Sequence, residues 1–138
     1  MRPADRSRVF EKFNANPPSA IAVLRQVEAS SGVRLSGDYA EFMQQSNGGE
    51  GFIGNAYVIL WRAEDLIEMN KAYQVAEYAP GLFLFGSDGG GEAFAFDTRA
   101  EAKPVVSVPF VGMDLKLAQL MATNFNAFLE GLFAGLTP

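Results

Sequence analysis

The 138-residue chain contains no cysteine and no histidine. The lack of cysteine excludes disulfides, thiolate-ligated zinc sites and cysteine nucleophiles. The lack of histidine removes the side chain that most often serves as a general base near neutral pH and as a transition-metal ligand. We therefore expect no metal ion, nucleotide or organic cofactor, and we expect that the protein is not an enzyme. Carboxylate-only chemistry is the one catalytic alternative.

The sequence also has no apolar run long enough to cross a membrane, and its first residues lack the apolar core of a secretion signal. We therefore expect a cytoplasmic protein with no membrane partner. With 49% hydrophobic residues and 12 phenylalanines, the chain can build the core of one domain. We assign residues 1–18 to an N-terminal extension, which ends in an Asn- and Pro-rich stretch, and residues 19–138 to the domain.

Positive charge is scarce in the middle of the chain. Residues 1–37 carry six basic and three acidic side chains, whereas residues 38–101 carry three basic and eleven acidic ones, a net charge of −8. Such a segment disfavours nucleic acid as a partner, because phosphates require Lys and Arg for neutralisation. It favours a partner with a basic surface. The alternative is that these acids only keep the surface soluble.

The stretch from residue 80 to residue 99 predicts a β-hairpin. Residues 82–85 and 93–96 place large apolar side chains at every second position, as strands do. Gly89, Gly90 and Gly91 between them permit a tight reversal, which leaves Asp88 and Glu92 at an acidic tip. The loop lacks the Lys-Ser/Thr of a phosphate-binding loop, and its acids would repel a phosphate. It has too few oxygen ligands for calcium.

The remaining patterns predict helices and further strands. Helices are expected near 19–31, 37–46, 63–73 and 123–133, with Ser19, Ser36 and Thr123 as N-caps, and a short helix within 4–14. Strands are expected at 57–61, 82–86, 92–97 and 104–109, and residues 111–122 are ambiguous. The fold class is α+β: a single domain with an antiparallel sheet of about four to six strands, N-terminal helices and a C-terminal helix packed around it.

The periodic faces also give a set of core candidates. These are Phe42, Leu60, Phe83, Phe85, Phe94, Phe96, Phe125 and Phe128. Leu82 and Leu84 are the alternative inward pair on their strand.

An ordered set of short motifs resembles the SUKH superfamily, the domain shared by fungal cell-wall-assembly regulators and many bacterial toxin-immunity proteins. The motifs are Leu35-Ser36-Gly37-Asp38-Tyr39, Phe42, Asn47-Gly48-Gly49, residues 86–91, Phe94-Ala95-Phe96-Asp97 and residues 125–129. The resemblance covers about residues 19–133. The family usually has Leu-Pro before its Tyr-containing helix, where this chain has Leu35-Ser36; serine can cap a helix as proline can start one.

This resemblance implies a protein that binds another protein. The first hypothesis is an immunity protein that neutralises a cognate toxin, with a basic nuclease inferred from charge alone. The second is a regulatory or scaffolding domain with an endogenous partner, and the third a small carboxylate-dependent enzyme using pairs such as Glu50 with Asp97 or Asp88 with Glu92. The partner-binding candidates are Glu64, Asp65, Glu68, Asp88 and Glu92, because they are acidic positions on a predicted helix exterior and a hairpin tip.

Overall fold

Seven strands form one antiparallel sheet, and they lie side by side in chain order. The computed structural model describes residues 3–135. Its strands are β1 Phe13–Ala15, β2 Gly49–Ile53, β3 Ala56–Leu60, β4 Leu82–Ser87, β5 Glu92–Asp97, β6 Val105–Pro109 and β7 Gln119–Ala122. The predicted α+β class and antiparallel sheet are confirmed, with seven strands in place of four to six.

Six α-helices and one 3₁₀ turn complete the described chain. They are α1 Pro3–Val9, α2 Ile21–Ser31, α3 Gly37–Gln45, α4 Ala63–Ala72, α5 Val75–Tyr78, the 3₁₀ turn Leu115–Leu117 and α6 Phe125–Phe133. The four long helices, α2, α3, α4 and α6, begin and end within two residues of the predicted bounds. Apolar periodicity therefore located them well.

Two of the three predicted N-caps are wrong. The residue before α2 is Ala20, and the hydroxyl of Ser19 donates to the carbonyl of Ala20 at 3.3 Å instead of accepting from the helix. The residue before α6 is Asn124, whose side-chain oxygen accepts from the N–H of Ala127 at 2.7 Å. Ser36 does precede α3, although its hydroxyl donates to Asp38 and makes no capping bond.

The N-terminal segment contains a strand that the sequence pattern did not indicate. Helix α1 ends at Val9, and the three-residue β1 pairs Phe13 with Gly51 of β2. Val9 and Phe13 are both buried in the main hydrophobic cluster. The division of the chain at residue 18 stays a prediction, and the residues before it pack on the same core. Residues 111–122 contain the 3₁₀ turn and β7.

The central strands are buried on both faces. The eight predicted core residues all belong to one cluster beneath α2, α3 and α6. On the opposite face, Leu82 and Leu84 are buried in a second cluster with Val75 of α5 and Met113 of the β6–β7 connection. Both alternative sets of inward residues on β4 are therefore buried, because a separate layer covers each face of the sheet.

Helix α4 takes the place of a strand beside the first half of β4. Strand β3 pairs only with the end of β4, where Leu60 lies opposite Gly86. Farther back, the side chain of Asn70 bonds the backbone N–H and C=O of Leu84 at 2.9 and 3.0 Å. This arrangement holds α4 at one end of β4 and leaves the β4–β5 hairpin tip at the other.

Candidate partner-binding site

The five acidic residues predicted to bind a partner fall into two groups. Glu64, Asp65 and Glu68 lie on α4, whereas Asp88 and Glu92 lie at the hairpin tip. Among the described residues, no hydrogen bond joins the groups, and the cavity beside Glu64 is separate from the one lined by Asp88 and Glu92. The predicted acidic surface is therefore two separate features.

The α4 group begins at a capping contact centred on Asn47. The buried Asn47 accepts a hydrogen bond from the N–H of Ala63 at 2.8 Å and donates one to Glu64 at 2.7 Å. The bond from Asn47 lowers the pKa of Glu64. Asn47 thus satisfies one of the free N–H groups at the start of α4 and orients an acid there. From the sequence, Asn47 was identified only as part of the Asn47-Gly48-Gly49 motif.

The other two acids of α4 differ in their surroundings. Asp65 pairs with Arg62 at 3.1 Å across one helical turn, and this pairing raises the pKa of Arg62. Glu68 is exposed, and no described residue bonds its carboxylate. A surface ion pair of this kind contributes little to stability. Glu68 is therefore the member of this group whose charge can be changed with the least effect on the fold.

At the hairpin tip, Asp88 shapes the turn. One of its carboxylate oxygens accepts hydrogen bonds from the N–H of Gly90 at 2.7 Å and of Glu92 at 3.1 Å. Gly89 and Gly91 have φ angles of 76° and 120°, which favour glycine. The other oxygen of Asp88 forms no bond with the described residues. The two hydrogen bonds therefore fix the orientation of the Asp88 carboxylate and leave its second oxygen without a protein partner.

Glu92 lies beside Asp88 in a half-buried position. Burial raises the pKa of Glu92, and the negative charge of Asp88 raises it further. Its carboxylate has no hydrogen bond or ion pair with the described residues. Two neighbouring acids thus face each other's charge without a compensating cation, an arrangement that costs free energy and is typical of functional positions.

These two acids line a cleft with a volume of about 350 Å³. We call it the hairpin cleft: it is lined by Tyr57 of β3, Asp88, Glu92, Phe94 of β5, Ser107 of β6, Gln119 and Met121 of β7, and Leu132 of α6, with Ala56 beside Tyr57. Phe128 of α6 covers part of Phe94, with ring centroids 4.9 Å apart. The cleft lies on the same face of the sheet as α6.

The register of the sheet explains how distant residues meet in the hairpin cleft. Phe94 lies opposite Ser107, and Ser107 lies opposite Gln119. Directly opposed residues in a sheet point to the same face. Sequence reasoning found the two acids of the cleft but missed Ser107 and Gln119, because β7 had no clear strand pattern and the register is set by tertiary pairing.

Of the two carboxylate pairs considered for acid–base chemistry, Asp88 and Glu92 are neighbours, whereas Glu50 and Asp97 lie apart. Glu50 on β2 and Asp97 on β5 have two strands between them. Asp97 is bonded by Arg99, which lowers its pKa, and Glu50 accepts a hydrogen bond from the Tyr57 hydroxyl. Within residues 5–135, no three acidic side chains are grouped so that they could hold a metal ion.

Comparison with known families supplies the identity of this domain. Residues 18–131 match the model of the SMI1 / KNR4 family (SUKH-1). The chain belongs to the SUKH-1 family. The match spans the elements from the start of α2 into α6, so the hairpin cleft and the α4 acids both lie within the SUKH-1 domain. No curated protein matches the chain.

None of the helices described between residues 3 and 135 is long and apolar enough to cross a membrane.

Proposed function

We propose that this SUKH-1 protein is a cytoplasmic immunity protein, which binds a cognate bacterial toxin and neutralises it by protein–protein interaction without catalysis. Family membership supports a protein-binding role. The absence of Cys and His from the sequence agrees with a function that needs no nucleophile or metal ligand of those types. The protein then acts by occupying a surface of its partner.

The observation that carries this proposal is the uncompensated negative charge at the hairpin tip. Asp88 and Glu92 sit side by side with no cation from the described residues near them, and Glu68 adds a free exposed charge on α4. Charges held apart from internal partners are available to steer and orient a basic partner. Enzymes that act on nucleic acid need a basic surface to hold phosphates, so a nuclease toxin has the complementary charge.

Co-expression with the product of the neighbouring gene tests the proposal. Cells that express that product alone should stop growing, and cells that also express this chain should grow. The purified proteins should form a complex whose association rate falls as salt is raised, because screening weakens steering.

Two charge reversals refine the test, with one matched control. Glu68→Lys and Glu92→Lys should each slow association with the toxin, whereas Glu101→Lys, the same reversal at an exposed position between β5 and β6, should not. If no neighbouring product is toxic, or if protection occurs without a complex, the immunity proposal is wrong.

A regulatory or scaffolding role is the second candidate, since the superfamily that this chain resembles includes fungal regulators as well as immunity proteins. It is distinguished by its outcome in the same experiment. A regulator should form a complex with an endogenous protein and leave the growth of toxin-expressing cells unchanged.

A further inference from the structure

We propose that the hairpin cleft is a receptor for one arginine side chain presented by the partner. This inference rests on the proposed binding function and deepens it, because it names the chemical group that the acidic tip recognises. The cleft combines negative charge, an unpaired hydroxyl and apolar walls in a volume of about 350 Å³.

The sign of the ligand's charge follows from the two carboxylates. The free oxygen of Asp88 and the whole carboxylate of Glu92 lack partners among the described residues, and no Lys or Arg lines the cleft. An anion would be repelled here. A cation would receive charge-assisted hydrogen bonds, which are about twice as strong as neutral ones.

Ser107 gives independent support for a ligand in this cleft. Its residue is only 7% exposed, yet it lines the cleft, and no described residue forms a hydrogen bond with its hydroxyl. Buried polar side chains are normally paired, and the Ser107 oxygen, which is not among the fully buried unpaired atoms of the described residues, opens into the cleft. Because Ser107 lies directly opposite Gln119, which is also in the cleft, the two polar groups can meet the same ligand.

The apolar walls suit the stem of a long side chain. Phe94 and Leu132 are buried, and the half-buried Met121 lines the cleft with them. Arginine carries an aliphatic stem that packs on apolar surface while its head stays polar. Its guanidinium has five donors in a rigid plane and stacks on aromatic rings, which matches several acceptors beside the exposed ring of Tyr57 better than the point charge of lysine does.

A small-molecule titration tests this inference without any toxin. Nitrogen-15-labelled protein is titrated with Nα-acetyl-arginine methylamide, and Nα-acetyl-citrulline methylamide, which is neutral and nearly identical in shape, serves as the matched probe. The arginine probe should cause saturable shifts of the backbone amide signals of Glu92, Phe94, Ser107 and Gln119. The citrulline probe should bind at least about tenfold more weakly, as expected for loss of a charge-assisted contact.

Three variants locate the binding. Glu92→Gln removes the charge and keeps the shape, and Ser107→Ala removes the hydroxyl; each should weaken arginine binding by about tenfold or more. Glu68→Gln removes the same charge from α4 and should leave binding unchanged.

The inference is overturned if citrulline binds as well as arginine, if Glu68→Gln weakens binding as much as Glu92→Gln, or if the cleft signals do not shift up to the solubility limit of the probe. A protein that protects cells from a toxin but ignores the arginine probe would contradict this inference alone. A protein that binds the probe in the cleft but neither protects cells nor binds the toxin would contradict the proposed function alone.

Discussion

The side-chain amide of Asn70 replaces a neighbouring strand for Leu84. Its oxygen accepts from the backbone N–H of Leu84 at 2.9 Å, and its nitrogen donates to the carbonyl of Leu84 at 3.0 Å. A paired strand would make the same two bonds. This contact allows α4 to lie beside the part of β4 that β3 does not reach, and it fixes the acidic helix against the sheet.

Removing this amide should destabilise the protein strongly. Asn70→Ala leaves the backbone N–H and C=O of the fully buried Leu84 without partners, at a cost of about 2–4 kcal/mol in the free energy of unfolding. Urea denaturation measures the difference. Gln44→Ala is the control, since the exposed Gln44 bonds only the carbonyl of Ala40 in its own helix. Equal stabilities of the two variants would show that Asn70 does not hold β4.

The parts of the fold that sequence reasoning located are those with strong local patterns. The hairpin of β4 and β5 alternates large apolar residues around glycines, and α2, α3, α4 and α6 repeat them at helical spacing. Strand β1 has three residues, too few for any period. Strand β7 consists of Gln, Leu, Met and Ala, which are all good helix formers, so pairing with β6 overrides its local preference.

The candidate site was only partly accessible from the sequence for a related reason. Acidic residues near a turn can be identified one by one, as Asp88 and Glu92 were. The hairpin cleft instead joins Tyr57 to Leu132, and what brings these residues together is sheet register and the position of α6. Asn47 was missed because its role depends on the start of α4, sixteen residues farther along the chain.

The hydroxyl of Tyr39 is fully buried and has no hydrogen-bond partner within the described structure. Burial raises the pKa of this group, so it stays neutral. Tyr39→Phe removes an unpaired polar atom and keeps the ring packed against Phe85, Phe96 and Phe125. The free energy of unfolding should stay equal or rise by about 1 kcal/mol.

The matched variant Tyr39→Ala removes the ring as well, and it should cost about 3–5 kcal/mol because it leaves a cavity. Thermal and chemical denaturation of both variants give the comparison. A loss of more than about 1 kcal/mol in Tyr39→Phe would mean that the hydroxyl is paired in solution.

The raised pKa of Glu92 predicts a stability that depends on pH in a defined direction. Because the folded-state pKa lies above the ordinary value of 4.5, the ionised carboxylate destabilises the fold. This penalty is fully present above the folded-state pKa, shrinks as pH falls through it, and is absent below 4.5. Glu92→Gln should therefore raise the Tm at pH 7, and its advantage over the native protein should vanish in acid.

The same experiment on Glu64→Gln should give the opposite sign. The pKa of Glu64 is lowered by the bond from Asn47, so its stabilising effect is present above pH 4.5 and is lost as pH falls through the folded-state value. Glu64→Gln should lower the Tm at pH 7 and make no difference in acid. If Glu92→Gln also lowers the Tm at pH 7, then Glu92 has a compensating partner in the folded protein, and the carboxylate is not free for a ligand.

Gly86 and Gly37 should respond oppositely to the same substitution. Gly86 lies within β4 and not in the hairpin connection, and a Cβ atom there would lie 2.3 Å from the carbonyl oxygen of Ile59. Gly86→Ala must therefore push β3 away from β4, beside the hairpin cleft, and should destabilise by about 2 kcal/mol or more.

Gly37, the first residue of α3, has open space around its Cβ position and no positive φ angle. Gly37→Ala should stabilise by about 0.4–1 kcal/mol, mainly because alanine restricts the unfolded chain. Chemical denaturation measures both changes, and a Gly86→Ala protein as stable as the native one would show that β3 and β4 are not in close contact at this position.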